Sequence, residues 1–260
     1  MALNIAVCIK VVPNPEQYDK IRLNPETKTL IREGIETVIN GADLHAIELA
    51  MQLKEKNGGK VTLISMGPSQ IQPQMREALS YGCDEAYILS DRKFGGADSL
   101  ATAYTLAKGV EATGPFDLLL LGNVSGDGAT AHVPSQLGEF LNLPHLTDVI
   151  AVNLEEEAVL VKKEIGQAVA SYRLKLPAVL GIDRKLNKVR HPSVKGIFGA
   201  KKKPMKILTV AELKGLEESR LGLSGSPTKA GEYRNVVYSR ECTELKDVAE
   251  LAQIIRKYRG

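Results

Sequence analysis

The sequence predicts an α/β fold built on a doubly wound, mainly parallel sheet and followed by an extended C-terminal arm. Strand and helix patterns alternate four times between Ile5 and Leu141. The strand runs are apolar on both faces, as strands covered by helices on both sides must be. After Asp183 the alternation weakens, and residues 215–234 are rich in Gly, Ser and Thr.

The first strand spans Ile5–Val12 and stops at Pro13. Residues 14–40 are polar, and a short hairpin is expected with Lys20–Leu23 facing Thr29–Arg32. A helix over Asp43–Lys56 carries Ala46, Leu49, Ala50 and Leu53 on one stripe. Asn40 or Asp43 is placed to cap it, and Gly58-Gly59 ends it. Strand Val61–Met66 follows, and then Ser69 and Gln72 at capping-box spacing ahead of a helix to Tyr81. Strand Glu85–Leu89, helix Ser99–Thr113, strand Leu118–Leu121 and helix Ala131–Leu141 complete the alternation. Val149–Asn153, Ala158–Ile165, Ala168–Leu174 and Ala178–Ile182 read as further strands. Asn235–Tyr238 reads as an isolated strand, and Glu244–Tyr258 as an amphipathic helix. The domain reading is an α/β domain over 1–215, with a basic loop at 184–206, and an arm over 216–260.

Composition narrows the function classes. The chain has 260 residues, 43% of them apolar and 25% charged, which excludes a disordered or disulfide-scaffold protein. Cys8, Cys83 and Cys242 lie far apart without a CxxC, and the four histidines show no metal-ligand spacing, so no metal is expected. Cys8 and Cys83 read as small buried hydrophobes. Tryptophan is absent and aromatics make up 5%, which argues against a nucleic-acid platform. No apolar run approaches the ~20 residues of a membrane span. Met1-Ala2-Leu3-Asn4 lacks signal-peptide features, so a cytoplasmic protein is expected. The net charge of +3 is local: between Arg184 and Lys206 there are nine Lys/Arg and no Asp/Glu, while the remainder is net acidic.

In open parallel sheets, ligands bind beyond the carboxyl ends of the strands. Three loops lie there: Pro13–Ala42, Gly67–Ser69 and Gly122–Ala131. The last combines Gly126 and Gly128 for close backbone approach with the hydroxyls of Ser125 and Thr130 and a following helix N-terminus. That combination suits a phosphate. A glycine-rich turn needing positive φ reads equally well. The loop lacks the P-loop lysine, and Asp127 has no second carboxylate at a regular spacing. No catalytic constellation emerges, so a binding or electron-carrying role is favoured over hydrolysis. The Lys201–Lys203 run, with Val194, Ile197 and Phe198 interrupting the basic segment at loop positions, reads as an apolar tip in a basic rim.

These residues carry a family resemblance. Ile5–Pro13, Asn40–Lys56, Val61–Gly82, Phe116–Gly122, Leu176–Arg190 and Ala200–Pro204 together resemble the β subunit of electron transfer flavoproteins. The resemblance covers roughly residues 3–215. It implies a Rossmann-like nucleotide-binding domain whose C-terminal arm embraces an FAD-bearing α subunit. It implies a nucleotide held by Cys8, Ile9, Lys10, Asn40, Asp43, Met66 and Gly67. The loop would contribute Gly122, Asn123, Val124, Ser125, Gly126, Asp127, Gly128, Ala129, Thr130, Ala131, His132 and Val133. Val194, Ile197 and Lys201 would contact a partner dehydrogenase.

The family has an AMP-holding branch and an electron-bifurcating branch with a second FAD. Thr29–Gly34, followed by Asp43, Ala46 and Glu48, resembles the bifurcating branch, and the small loop residues leave room for a flavin. That resemblance implies FAD in preference to AMP, NADH as donor, and ferredoxin and an FAD-dependent dehydrogenase as acceptors. The rivals are a simple electron carrier with structural AMP, a nucleotide-binding hydrolase or ligase, and a nucleotide-sensing module.

Overall fold

A computed structural model describes residues 2–20, 22–23, 30–31, 34–228, 231, 242, 244–245 and 247–258. The elements in chain order begin with β1 (Leu3–Cys8), β2 (Val11–Pro13), β3 (Arg22–Leu23), β4 (Leu30–Ile31), β5 (Thr37–Ile39) and α1 (Gly41–Asn57). They continue with β6 (Gly59–Met66), α2 (Gln72–Ser80), β7 (Glu85–Leu89), α3 (Ser99–Thr113), β8 (Leu118–Gly122) and α4 (Val133–Leu141). β9 (His145–Leu154), β10 (Ala158–Ile165), β11 (Ala168–Lys175), β12 (Ala178–Ile182), α5 (Val194–Ala200), β13 (Met205–Leu208) and α6 (Val248–Tyr258) follow. The chain divides into two units. One comprises residues 1–21 and 32–230; the other comprises 22–31 and 231–260.

The first unit is built on a nine-stranded sheet ordered β11-β10-β9-β12-β8-β1-β6-β7-β13. From β9 to β13 every pairing is parallel, while β10 and β11 extend it antiparallel. Strand side chains alternate between two cores. Ile5, Val7, Leu118, Leu120 and Leu180 meet Ile47 and Ala50 of α1 and Met75 and Leu79 of α2. Ala6, Cys8, Leu119, Leu121 and Val179 meet Tyr104, Leu106 and Val110 of α3 and Leu137 of α4. Two covered faces explain why the strand runs are apolar without a break.

The second unit contains the β3–β4 hairpin, paired Arg22 to Ile31 and Leu23 to Leu30, and α6. The hairpin lies within the span expected for it. Ile21, residues 24–29 and Arg32 of that span, and the strand expected at Asn235–Tyr238, lie outside the described residues.

Several expectations are corrected. The run Ile5–Val12 is not one strand. It breaks at Ile9 and Lys10, because the Lys10 N–H turns to the Asp43 carboxylate at 2.7 Å and the Lys10 carbonyl accepts from Asn40 at 2.9 Å. Val11–Pro13 then pairs with β5 in a separate small sheet. The Ser69 capping box does not form: a 3₁₀ turn over Ser69–Ile71 precedes α2, whose cap position is Ile71. α4 begins at Val133, since Ala129 and Ala131 have left-handed backbone (φ 51° and 56°) and cannot belong to a helix. β9 starts at His145, four residues earlier than expected. The segment after Asp183 holds α5 and β13, so Val194, Ile197 and Phe198 stand on a short helix and not a loop. Within the first unit Leu221 is buried, and the Leu223 N–H donates to the Gly95 carbonyl at 3.0 Å.

Candidate functional site

The carboxyl ends of β1, β6 and β8 converge beside the start of α1. Asp43 on the first turn of α1 is buried and ties two of them together. One carboxylate oxygen accepts the Lys10 N–H at 2.7 Å, and the other accepts the Gly122 N–H at 2.9 Å. Burial pushes its pKa up to about 6, against the pull of these N–H donors and of Lys10. Gly122 must be glycine for this approach: an added Cβ would sit 2.4 Å from Asp43 Oδ1 and 2.6 Å from Ala42 Cβ.

Asn40 stands at the N-cap of α1 but does not cap it with its side chain. Its amide instead donates to the Val124 carbonyl at 3.0 Å and accepts the Gly126 N–H at 3.1 Å. The loop after β8 is thereby clamped to the helix start. Lys10 Nζ pairs with Asp127 at 2.6 Å and reaches Ser125 Oγ at 3.5 Å. Asp127 also accepts the Gly128 N–H at 2.7 Å. Burial opposes the ionisation of Asp127, yet the donors, Lys10 first, hold its pKa below the ordinary value. The left-handed residues of this loop are Ala129 and Ala131, not its glycines. Residues 126–128 do form a turn, closed by the Ala129 N–H on the Ser125 carbonyl at 3.0 Å, but it needs no positive φ at Gly126 or Gly128. Gly128 has open space beyond Ser125 Oγ at 3.5 Å and Lys10 Nζ at 3.9 Å.

A cleft of about 250 Å³ opens here, lined by Cys8, Ile9, Lys10, Asn40, Asp43, Met66, Gly122, Val124, Ser125, Gly128, Thr130 and Val133. Asn123, Ala131 and His132 line a smaller recess on the other side of the loop. Gly126, Asp127 and Ala129 shape the loop without lining the cleft. Gly67 packs against Ile71, and its N–H is spent on the Leu89 carbonyl at 3.1 Å.

Ala97, Asp98, Ser99, Thr102 and Leu106 also line the cleft and escaped the sequence reading. Asp98 caps α3, accepting the Leu100 and Ala101 N–H groups at 2.9 and 3.1 Å. The signal was present: Asp-Ser after Gly95-Gly96 marks a helix start at the end of the third expected strand. Among the described residues, the hydroxyls of Ser99, Thr102 and Thr130 donate to no protein acceptor, and all three residues line the cleft. Burial, with Asp43 nearby, pushes the Cys8 thiol up to about 12, so it remains a neutral wall and not a nucleophile. Small walls, unspent hydroxyls and one lysine suit the phosphate and sugar of a nucleotide.

Elsewhere, Val194, Ile197 and Phe198 project from α5 with 71%, 50% and 67% of their surface exposed, beside exposed Lys201. No helix among the described residues is long and apolar enough to cross a membrane.

The sequence model of the electron transfer flavoprotein domain matches residues 27–213. The chain is 45% identical over 228 residues to the electron transfer flavoprotein subunit beta of Thermoanaerobacterium thermosaccharolyticum, covering 87% of this chain and 86% of the relative. It is 40% identical over 227 residues to the corresponding subunit of Clostridium acetobutylicum, with 87% and 86% covered. It is 38% identical over 228 residues to the caffeyl-CoA reductase-Etf complex subunit CarD of Acetobacterium woodii, with the same coverage. On the family match over residues 27–213 and an identity of 45% across 87% of its length, the chain belongs to the electron transfer flavoprotein family, among its β subunits.

Proposed function

We propose that the cleft at the ends of β1, β6 and β8 holds the adenine nucleotide of an FAD, in a cytoplasmic, electron-bifurcating heterodimer. Family membership gives the coarser frame: electron transfer, an α-subunit partner, and a complex associated with flavin or AMP. In the proposed complex NADH is the electron donor. Ferredoxin and an FAD-dependent dehydrogenase would be the acceptors, the second reached by way of an FAD on the α subunit. The observation that carries the reading is the cleft itself, with small walls and unspent hydroxyls where Asp43 and Asn40 join the ends of β1 and β8.

FAD, when bound, supplies the hydride-accepting and one-electron chemistry. The protein's share is placement. Lys10 offers a positive charge at the mouth, steadied by Asp127 and Ser125. The Ser125 and Thr130 hydroxyls and Gly128 offer close polar contact on one wall, and Ser99 and Thr102 on the other. Small residues at Ala97 and Ser99 extend the cleft along the start of α3 and favour the larger FAD over AMP. Val194 and Ile197 on α5, with Lys201 just after it, would dock the dehydrogenase.

The test is the visible spectrum and acid-released nucleotide of the purified heterodimer. Two FADs per heterodimer are expected; one FAD with one AMP supports the simple carrier, and absence of both overturns the nucleotide reading. Gly128→Val should empty this site while the sheet stays folded, because the added methyl groups enter the cleft.

A further inference from the structure

Asn123 is the first residue beyond β8, where the cleft loop departs. Its N–H still belongs to the sheet, donating to the Ile182 carbonyl of β12 at 2.9 Å. Its side-chain amide donates sideways, to Asp148 Oδ1 at 2.9 Å and to Asp183 Oδ2 at 3.4 Å. The loop's point of departure is thus gripped by one carboxylate from β9 and one from the residue after β12, neither of which lines the cleft.

Asp148 reaches Asn123 by an irregular backbone. It lies inside β9, yet its φ is 58°, the left-handed region. β9 changes register here on both sides, against β12 between Leu180 and Ile182 and against β10 between Lys162 and Lys163. An extended strand residue would send its side chain to one face of the sheet. The bulge re-aims it toward the strand ends, a recurrent use of bulges near binding sites. The other carboxylate oxygen accepts from Lys163 Nζ at 2.9 Å and Thr147 Oγ1 at 3.1 Å, which locks the rotamer. Strain that surrounding contacts hold in place points to a role at the site it serves.

We propose that Asp148 is a positioning residue of the nucleotide loop: through Asn123, its carboxylate sets the angle at which residues 123–132 leave β8. The proposal rests on the reading of that loop as nucleotide-binding. Two variants separate the hydrogen bond from the backbone. Asp148→Gly adopts a positive φ freely, so the bulge persists without strain, but it offers Asn123 nothing. Asp148→Asn, always made together with Lys163→Met so that its NH₂ faces the Thr147 hydroxyl and not an ammonium, tolerates the same backbone and keeps its oxygen for Asn123.

The experiment uses the αβ heterodimer, with FAD and AMP quantified separately after acid release. Their loss with time is then followed in nucleotide-free buffer. Gly128→Val marks the fraction held by this chain. Asp148→Gly should keep or raise the thermal midpoint yet release that fraction about tenfold faster, the scale of one supporting hydrogen bond. Asp148→Asn should release it at close to the native rate. Native release from Asp148→Gly, with Gly128→Val emptied, overturns the positioning role alone. Asp148→Asn releasing as fast as Asp148→Gly overturns it too, as does a midpoint that falls in step with release. Full occupancy in Gly128→Val overturns the loop reading and this proposal with it.

Discussion

Asp43 is the residue on which the site's geometry turns. Each carboxylate oxygen meets a backbone N–H from a different strand end, so the geometry asks for two acceptors and no donor. Asp43→Asn keeps one acceptor and points an amide NH₂ at the other N–H, a mismatch of about 1–3 kcal/mol. The pH dependence has a definite sign. Burial raises the folded-state pKa to about 6 from an ordinary 3.8, so the unfolded chain releases its proton first. Folding therefore loses stability as pH climbs between those values, by about 3 kcal/mol in full. Asparagine does not titrate. The native protein's advantage over Asp43→Asn should therefore shrink from pH 4.5 to pH 7 in denaturant unfolding of the full chain. A gap that stays constant with pH would show that Asp43 does not titrate as burial demands.

At the scale of elements, the approach to α5 is fastened and its tip is free. Arg190 pairs with buried Glu48 on α1, donating from Nε at 2.7 Å and Nη2 at 3.0 Å, and also with Glu55. Burial opposes the ionisation of Glu48, but the Arg190 donors hold its pKa below the ordinary value. His45 and Asn187 add a second tie at 2.8 Å, and Arg76 grips the Ala200 and Lys203 carbonyls at 2.9 and 2.6 Å. Arg190→Met should cost about 2 kcal/mol, below the value for a fully buried pair because Arg190 stays one-third exposed. Unchanged unfolding in that variant would show the tie to be idle.

The rim is also smaller than the lysine run suggested. Lys203 is spent on the Leu79 carbonyl at 3.0 Å, which leaves Lys195, Lys201 and Lys202 exposed. Val194→Asp places a charge on the apolar tip and, if α5 docks the proposed dehydrogenase, should weaken that docking by about 2–3 kcal/mol. Neutralising Lys201 and Lys202 should instead slow association and flatten its salt dependence. Electron transfer to that dehydrogenase, titrated at two ionic strengths, reads both, and a Val194→Asp titration matching the native one removes α5 from the docking site.

Across the whole molecule, the two units differ in what they bury. The sheet unit closes two cores, one on each face. α6, by contrast, buries none of its residues: Val248, Leu251, Ile254, Ile255 and Tyr258 all remain exposed. An amphipathic helix with an uncovered apolar face gains its stability from packing elsewhere. Hydrogen exchange over Val248–Tyr258 should be fast in the isolated chain and slow in the αβ heterodimer. Strong protection in a verified monomer would count against the α subunit as the cover.

Local patterning determined the elements whose burial is simple. Glu85–Leu89, Ser99–Thr113, Ala158–Ile165 and Ala178–Ile182 form with the bounds their apolar periodicity predicts. Hydrophobic spacing reports which face is covered, and covered faces dictate strand or helix. The cleft's place was legible for the same reason, since alternation puts the strand ends, and hence the loops after β1, β6 and β8, on one edge.

Tertiary structure decided the rest. α5 and β13 are short and half-exposed, so no period announces them. Asp98, hidden at a helix start, joined the site only when α3 was laid across the strand ends. Asn40 looked like a cap and became a clamp, because the loop it holds lies 84 residues away along the chain. The break after Cys8 and the bulge at Asp148 both answer to partners brought near by the fold. A hydrogen bond across such separations is set by the sheet's topology, which neighbouring residues in the chain do not encode.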